Sequence, residues 1–259
     1  MVQRLHMKTS RLWVAAVAVL LWFSLRPAGA AESSSASPGK VRVLLITGGH
    51  AFETNEFFQV FKDNPEITFQ AVQHPKAYAM FKDSAASQYD VIVTYDFNQQ
   101  IPDEAKTELI ARLKDGKGLV VMHHAIAAYP DWPEYWKIIG AHYYLAPTVV
   151  DGVEKKRSAY EHGRHFRIHV ADPQHAVTRG VKDYDIVDET YKWFDVAKDC
   201  HPLLTTEDPE SNPVIAWAKT YEKARVVYME SGHDHLAYEN PAFQQVLRQA
   251  IEWTAHKAN

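Results

Sequence analysis

The stretch at residues 118–125 constrains the fold of this chain more than any other. It reads GLVVMHHA, so a short apolar run of the kind found in buried strands ends on two adjacent histidines. In an open α/β sheet, ligands bind just beyond the carboxyl ends of the parallel strands. A buried strand that stops at His123 and His124 therefore predicts the floor of a functional site.

Three further predicted strands also end on polar residues. They are the apolar runs at residues 40–46, 89–95 and 224–229, which lead to His50, Asp96 and the pair His233-Asp234 respectively. Glycines beside His50 and His233 allow sharp turns and a close approach to a ligand. Because the carboxyl ends of parallel strands share one edge of a sheet, we expect these side chains to converge on one crevice.

Helical and strand patterns alternate along the chain. Apolar residues recur at helical spacing within residues 54–61, 102–113 and 241–251. This alternation predicts an α/β fold with a mostly parallel sheet and helices on both of its faces. Between residues 143 and 170 the pattern has a period of two, which predicts an antiparallel insertion.

Residues 1–30 have the composition of a secretory signal peptide. Basic residues precede an apolar stretch from Leu12 to Leu25, and Ala28-Gly-Ala30 supplies the small residues of a cleavage site. The apolar stretch is short for a bilayer span, although an uncleaved anchor is the alternative. We therefore expect a periplasmic or secreted protein with no stable membrane anchor after cleavage.

The rest of the chain has room for one sizeable domain. Residues 31–40 are rich in Ser and Ala, which is typical of a flexible lead-in, and residues 41–257 form the domain. Loss of the four cations in residues 1–30 changes the formal net charge from −4 to −8, which argues against a nucleic-acid partner. Cys200 is the single cysteine, so an internal disulfide is excluded.

The 14 histidines are the main candidates for chemistry, since imidazole binds metals and carries protons near neutral pH. Adjacent side chains of a strand point to opposite sides, so at most one of His123 and His124 is expected to face a given pocket, and we favour His124. His74, beside a turn, is expected at the surface. An exposed sheet face is expected for three histidines that alternate with apolar residues, namely His162, His165 and His169.

A few other side chains have both a functional and a structural interpretation. Asp188 and Glu189, beside Tyr191, can supply a base or a ligand carboxylate, but the same residues suit an ordinary turn. Trp132 can stack on a sugar face, although aromatic residues at helical spacing are often core. The sequence has no Walker loop, no GxGxxG and no CxxC, so nucleotide and dithiol functions lack support.

Several of these motifs, taken in order, resemble the ThuA-like family of trehalose-utilisation proteins, which is related to class I glutamine amidotransferases. The segments are residues 47–52 (TGGHAF), 118–125 (GLVVMHHA), 132–135 (WPEY) with Gly140, His175, 188–191 (DETY) and 231–234 (SGHD). The resemblance implies a three-layer α/β/α, flavodoxin-like fold. It also implies a role in disaccharide catabolism, on 3-keto sugars made by a partner sugar dehydrogenase.

Two departures from the wider family pattern matter. Amidotransferases place a nucleophilic cysteine at the strand end where this chain has Met122, His123 and His124, and Cys200 lies elsewhere. Glutamine amidotransferase activity is therefore excluded on chemical grounds. A GKGRV turn that is common in the family is replaced here by residues 222–226 (EKARV).

The leading hypothesis is an exported enzyme that acts on a sugar or keto-sugar as an isomerase, lyase or hydrolase. His124 and Glu189 are the expected acid–base pair. The expected substrate-binding residues are His50, Asp96, Trp132, Tyr191 and Asp234. A divalent ion of the zinc or iron type is an open possibility, with His142 and His233 as ligands.

Two rival hypotheses belong to other functional classes. One is a non-catalytic carbohydrate-binding or partner-docking protein that retains the fold. The other is a metal-dependent hydrolase, for which a bound ion is required rather than optional.

Overall fold

The computed structural model of the chain describes residues 39–258. The predicted signal peptide and residues 31–38 of the predicted lead-in lie outside this range. Within residues 39–258, no helix combines the length and the apolar character needed to cross a membrane.

A nine-stranded sheet forms the centre of the fold, and two strand pairs lie outside it. The strands are β1 (Val41–Gly48), β2 (Ile67–Gln73), β3 (Val91–Asp96), β4 (Gly118–Met122), β5 (Ala141–His142), β6 (Thr148–Val150), β7 (Val153–Lys155), β8 (Ala159–Val170), β9 (Tyr184–Lys192), β10 (Asp195–Val196), β11 (His201–Thr205), β12 (Val214–Tyr221) and β13 (Ala224–Met229). The helices are α1 (Thr54–Lys62), α2 (Asp103–Lys114), α3 (Pro133–Ile139), α4 (His235–Tyr238) and α5 (Pro241–Thr254), with 3₁₀ turns at Lys76–Phe81, Asp83–Gln88 and His123–Ala127.

The strand order of the large sheet is β2-β1-β3-β4-β13-β12-β11-β8-β9. The first five strands are parallel, and their order is the 2-1-3-4-5 order of flavodoxin-like sheets, with β13 in the fifth place. The last four strands are antiparallel to their neighbours. The prediction of an α/β fold with a mostly parallel sheet and an antiparallel insertion is confirmed, and the antiparallel strands extend the same sheet.

Helices cover both faces of the sheet, which makes three layers. In β1 the residues alternate between two hydrophobic clusters, with Val43 and Leu45 on one face and Leu44 and Ile46 on the other. The first cluster includes residues of α1, α4 and α5, and the second includes residues of α2 and α3. A strand buried on both faces has no polar side to show, which explains its continuous apolar run.

Gly118 sets how closely β4 packs against the end of α5. A Cβ atom placed at Gly118 would lie 2.4 Å from the backbone oxygen of Thr254, which is far inside van der Waals contact. The strand that leads to His123 and His124 can therefore sit in its observed place only with glycine at its first position.

We expect Gly118→Ala to lower the free energy of unfolding by about 3 kcal/mol, because the added methyl group meets backbone atoms that cannot rotate away. The matched control is Gly152→Ala, at a turn where φ is +79° and nothing lies within 4 Å of the added Cβ. In that control the only cost is the left-handed backbone conformation in a residue with a Cβ atom, which lowers the free energy of unfolding by about 1 kcal/mol. Urea denaturation measures both, and equal losses would contradict the packing argument.

Candidate functional site

The carboxyl end of β4 brings both adjacent histidines to one site. The strand ends at Met122, and the backbone turns at His123, whose φ of +52° is unusual for a residue with a large side chain. Because the strand does not continue through His123 and His124, their side chains need not point to opposite sides. His123 lies fully buried beneath the site, whereas His124 forms part of a cavity wall.

His123 is the most highly connected side chain of the site. Its Nδ1 donates to the backbone oxygen of Glu230 at 2.7 Å. A carbonyl oxygen only accepts, so in the neutral ring Nε2 carries the lone pair. Three polar atoms surround Nε2: the hydroxyl of Tyr191 at 2.9 Å, Oε2 of Glu189 at 3.0 Å and Nδ1 of His233 at 3.2 Å.

Glu189 lies in the middle of three histidines. Besides the contact with His123, its Oε1 is 3.0 Å from Nδ1 of His162 and its Oε2 is 3.5 Å from Nδ1 of His233. Burial raises the pKa of Glu189, but hydrogen bonds with His123 and His233 outweigh burial and hold this pKa below its usual value. The hydrogen bond to Glu189 in turn raises the pKa of His233, although burial opposes it.

Asp188 fixes the loop that carries His233. One carboxylate oxygen accepts the backbone N–H groups of Glu189 at 2.8 Å and His233 at 3.0 Å, and the other accepts the N–H of Gly232 at 2.8 Å. The carboxylate is buried, and the hydrogen bonds from Glu189 and Gly232 are buried with it, so water does not readily replace them. Asp188 therefore ties β9 to the end of β13.

The ring of His124 has one nitrogen bonded and one unpaired. Nδ1 lies 3.2 Å from the backbone oxygen of Asp96, while Nε2 is buried without a hydrogen-bond partner in the described part of the chain. The ring packs 4.7 Å from His50 and 4.3 Å from Tyr95, measured between centroids. Burial and the neighbouring histidines lower the pKa of His124 to about 2, so this imidazole is neutral at physiological pH.

Asp96 points away from the cavity and pairs with His74. The distance from Oδ2 of Asp96 to Nε2 of His74 is 2.8 Å, and both side chains are buried. The hydroxyl of Tyr129 lies 3.3 Å from the same nitrogen. The expectation that His74 is a surface residue is wrong, because the turn after β2 folds beneath the end of β3.

A cavity of about 290 Å³ opens at this edge of the sheet. Its aromatic wall consists of Phe97, Tyr143, Tyr160 and Tyr191. Its polar wall consists of His50, His124, Arg157, His162 and Glu189. Apolar walls with a few convergent polar groups are typical of small-molecule sites, and the volume lies at the small end of their usual range.

The structure brings together five of the residues predicted from the sequence. His50, His124, Glu189 and Tyr191 line the cavity, and His233 contacts Glu189 beneath it. Of the two adjacent histidines, His124 is the one that lines the cavity.

The other predicted residues lie elsewhere for identifiable reasons. Trp132 packs against Tyr129 and Tyr135 in the core and is 7 % exposed. Asp234 accepts the backbone N–H of Leu236 at 2.9 Å, so it caps α4.

His142, predicted as a metal ligand together with His233, is held apart by aromatic stacking. Its ring lies 3.4 Å from that of Trp136 and 4.1 Å from that of Tyr144, measured between centroids. It pairs with Asp195 on the short strand β10, and it is not part of the histidine–carboxylate cluster.

Sequence reasoning missed two side chains of the cavity wall, His162 and Arg157. The register of β8 against β9 shifts between Glu161 and Arg164, where Gly163 has a φ of +65°. This irregularity separates His162 from the regular alternation of His165 and His169 and turns it towards Glu189. Gly163, a glycine inside a strand pattern, was the sequence signal that could have indicated this irregularity.

Cys200 takes no part in the site. Its Sγ lies 3.4 Å from the backbone oxygen of Gly140, and burial raises the pKa of the thiol to about 11. A thiol with so high a pKa is a poor nucleophile at neutral pH, which agrees with the absence of a cysteine from the end of β4.

Residues 42–254 match the family model ThuA, described as trehalose utilisation. The chain therefore belongs to the ThuA family, as the motifs in its sequence predicted. No functionally curated protein sequence matches it.

Solved structures with similar folds include two described as ThuA-like proteins. One is from Parabacteroides merdae (18 % identity, 83 % of this chain and 90 % of the other, TM-score 0.71). The second is from Bacteroides uniformis (16 % identity, 85 % and 94 %, TM-score 0.62). A third, named a cytoplasmic protein, is from Salmonella typhimurium (13 % identity, 84 % and 99 %, TM-score 0.58). At these identities the likeness concerns the fold.

We expect Asp188→Ala to destabilise the protein by about 2–4 kcal/mol, because it leaves two buried N–H groups and one partly buried N–H group without their acceptor. The control is Asp185→Ala on the same strand. Asp185 forms an exposed ion pair with Arg167, and such pairs contribute about 0–1 kcal/mol. Urea denaturation of both variants measures the difference, and a loss in Asp188→Ala no larger than in the control would show that Asp188 does not hold the loop.

Proposed function

We propose that this cavity binds a carbohydrate, specifically an oxidised sugar with a ketone in the ring, and promotes proton transfer next to that ketone. Membership of a family described by trehalose utilisation supports a role in sugar catabolism. The observation that carries the proposal is the composition of the cavity lining, which combines tyrosine rings with imidazole and carboxylate groups.

The aromatic wall suits the apolar face of a sugar ring. Tyr143, Tyr160 and Tyr191 present flat surfaces, and Tyr160 is half exposed at the cavity mouth. Aromatic rings of this kind combine an apolar body with a polar hydroxyl group. The polar wall then has hydrogen-bonding groups for the sugar hydroxyls, in a cavity too small for a long polysaccharide to enter along its length.

His124 and Glu189 are the residues that we place next to the reacting carbons. A ketone acidifies the neighbouring C–H, so a base can take that proton while the C–H electron pair moves towards the ketone oxygen. His124 and Glu189 both line the cavity, and Nε2 of the neutral His124 has no hydrogen-bond partner in the described part of the chain. Although burial lowers the pKa of His124, the negative charge of Glu189 raises this pKa and so favours transfer of a proton to the ring. Elimination or isomerisation of a 3-keto-glycoside starts with this step.

The direct test is the reaction of 3-keto-trehalose and related 3-keto-glucosides in D₂O, followed by proton NMR. The wild-type protein is expected to exchange or consume the proton next to the ketone faster than buffer does. His124→Ala should lower kcat/KM by about 100-fold or more, which is the usual contribution of a proton-transfer group.

The control for this assay is His165→Ala, which removes an exposed histidine on the outer face of β8. Activity of the control should stay at the wild-type level. Unchanged turnover in His124→Ala would remove His124 from the reaction. Sugar binding without turnover in the wild-type protein would favour the non-catalytic carbohydrate-binding alternative.

We also propose that the protein is exported and acts after a sugar dehydrogenase, since a ring ketone must first be made by oxidation of a hydroxyl group. The composition of residues 1–30 supports export. Expression of the full-length gene in a Gram-negative host should give a periplasmic product that begins at Ala31, as read by mass spectrometry. A cytoplasmic product that retains residues 1–30 would contradict export.

A further inference from the structure

We propose that His123, Glu189 and His233 form a binding site for a divalent metal ion of the zinc or iron type. The ligand atoms are Nε2 of His123, Oε2 of Glu189 and Nδ1 of His233. Within residues 39–258, this is the one group of three or more His, Cys, Asp or Glu side chains whose ligand atoms converge in this way. The proposal concerns the cavity described above but does not depend on the identity of its substrate.

The spacing of the three ligand atoms fits a shared ion. The distances are 3.0 Å from His123 to Glu189, 3.2 Å from His123 to His233 and 3.5 Å from Glu189 to His233. Ligands bound at about 2.0–2.2 Å to one ion are about 3.0 Å apart at right angles and about 3.4 Å apart in a tetrahedron. The triangle therefore has the size that a single ion requires.

The hydrogen bond made by His123 also favours a cation at the centre of the cluster. Nδ1 of His123 donates to the Glu230 carbonyl, so its Nε2 presents a lone pair 3.0 Å from a carboxylate oxygen. Two electron-rich atoms at this distance repel each other unless a proton or a metal ion lies between them. A metal ion satisfies His123, Glu189 and His233 at the same time.

The surroundings hold the three ligands in place, as is usual around metal centres. The Glu230 carbonyl fixes the tautomer and orientation of His123, and Asp188 fixes the backbone of His233. His162 occupies Oε1 of Glu189 and leaves Oε2 for the ion. The positive φ of His123 is a further sign, because such backbone strain concentrates at functional sites.

Two imidazoles and one carboxylate are an incomplete set of ligands. The same set serves catalytic zinc and non-haem iron, which keep one or more positions open for water or substrate. Glu189 lines the cavity, so the proposed metal site adjoins the proposed sugar site. A bound ion would polarise a ketone or hydroxyl oxygen there as a Lewis acid.

The test is the metal content of untagged protein, measured by inductively coupled plasma mass spectrometry, together with thermal unfolding after chelation and re-addition of Zn²⁺, Fe²⁺, Mn²⁺ or Co²⁺. Wild-type protein should retain on the order of one ion per chain, and the preferred ion should raise Tm after chelation. His233→Ala and Glu189→Gln should weaken metal affinity by about 100-fold or more.

These two variants are chosen because His123 is fully buried and its removal could unfold the protein. Glu189→Gln preserves the shape of the side chain, and His233 is partly exposed. His165→Ala and His142→Ala should keep the wild-type metal content and the rise in Tm. Glu189→Asp keeps a carboxylate at this position. Tighter metal binding by Glu189→Asp than by Glu189→Gln would support direct ligation.

Two results would overturn the site: no binding of any of the four ions by the wild-type protein, or wild-type metal affinity in both His233→Ala and Glu189→Gln. Metal bound at this site without turnover of a keto-sugar would leave the metal site standing and contradict the proposed function. Turnover of a keto-sugar by wild-type protein that binds none of the four ions would leave the proposed function standing and overturn the metal site. The two proposals therefore fail separately.

Discussion

The site depends on the hydrogen bond from Nδ1 of His123 to the backbone oxygen of Glu230. This bond of 2.7 Å joins the end of β4 to the end of β13, and it decides which ring nitrogen carries the proton. The other nitrogen is thereby directed at Glu189, His233 and the hydroxyl of Tyr191. The left-handed backbone at His123, a costly conformation for a histidine, is held by burial of the ring on all sides.

The two halves of the sheet make different contributions to the cavity. The parallel half delivers His124 and His233 from strand ends, as the general behaviour of such sheets requires. The antiparallel half delivers Glu189 from β9, although β9 is the last strand in the order of the sheet. The β8–β9 pair therefore reaches back over the carboxyl edge, and Asp188 fastens it there through the N–H groups of the loop at Gly232. The cavity exists only where the two halves meet.

The sequence predicted the parts of this arrangement that follow from local pattern. Apolar runs that end on glycine and histidine located the strand ends at His50, His124 and His233, and the motifs located the family. Two side-chain placements could not be predicted: Asp96 pairs with His74, and His142 stacks on Trp136. The pattern of apolar and polar residues does not distinguish these contacts from a site, because the first joins the ends of β2 and β3 and the second depends on the turn between α3 and β5. The position of His162 could not be predicted either, because the bulge beside Gly163 interrupts the regular alternation of β8.

A crystal structure of the protein soaked with 3-keto-trehalose shows directly whether distant strand ends form one sugar site. We expect sugar density inside the cavity, with a sugar hydroxyl in hydrogen-bonding range of Nε2 of His124 and with tyrosine rings against the sugar face. We also expect Glu189 to lie between His123 and His233. Sugar bound elsewhere, or these three side chains turned away from each other, would show that the strand ends do not form this site.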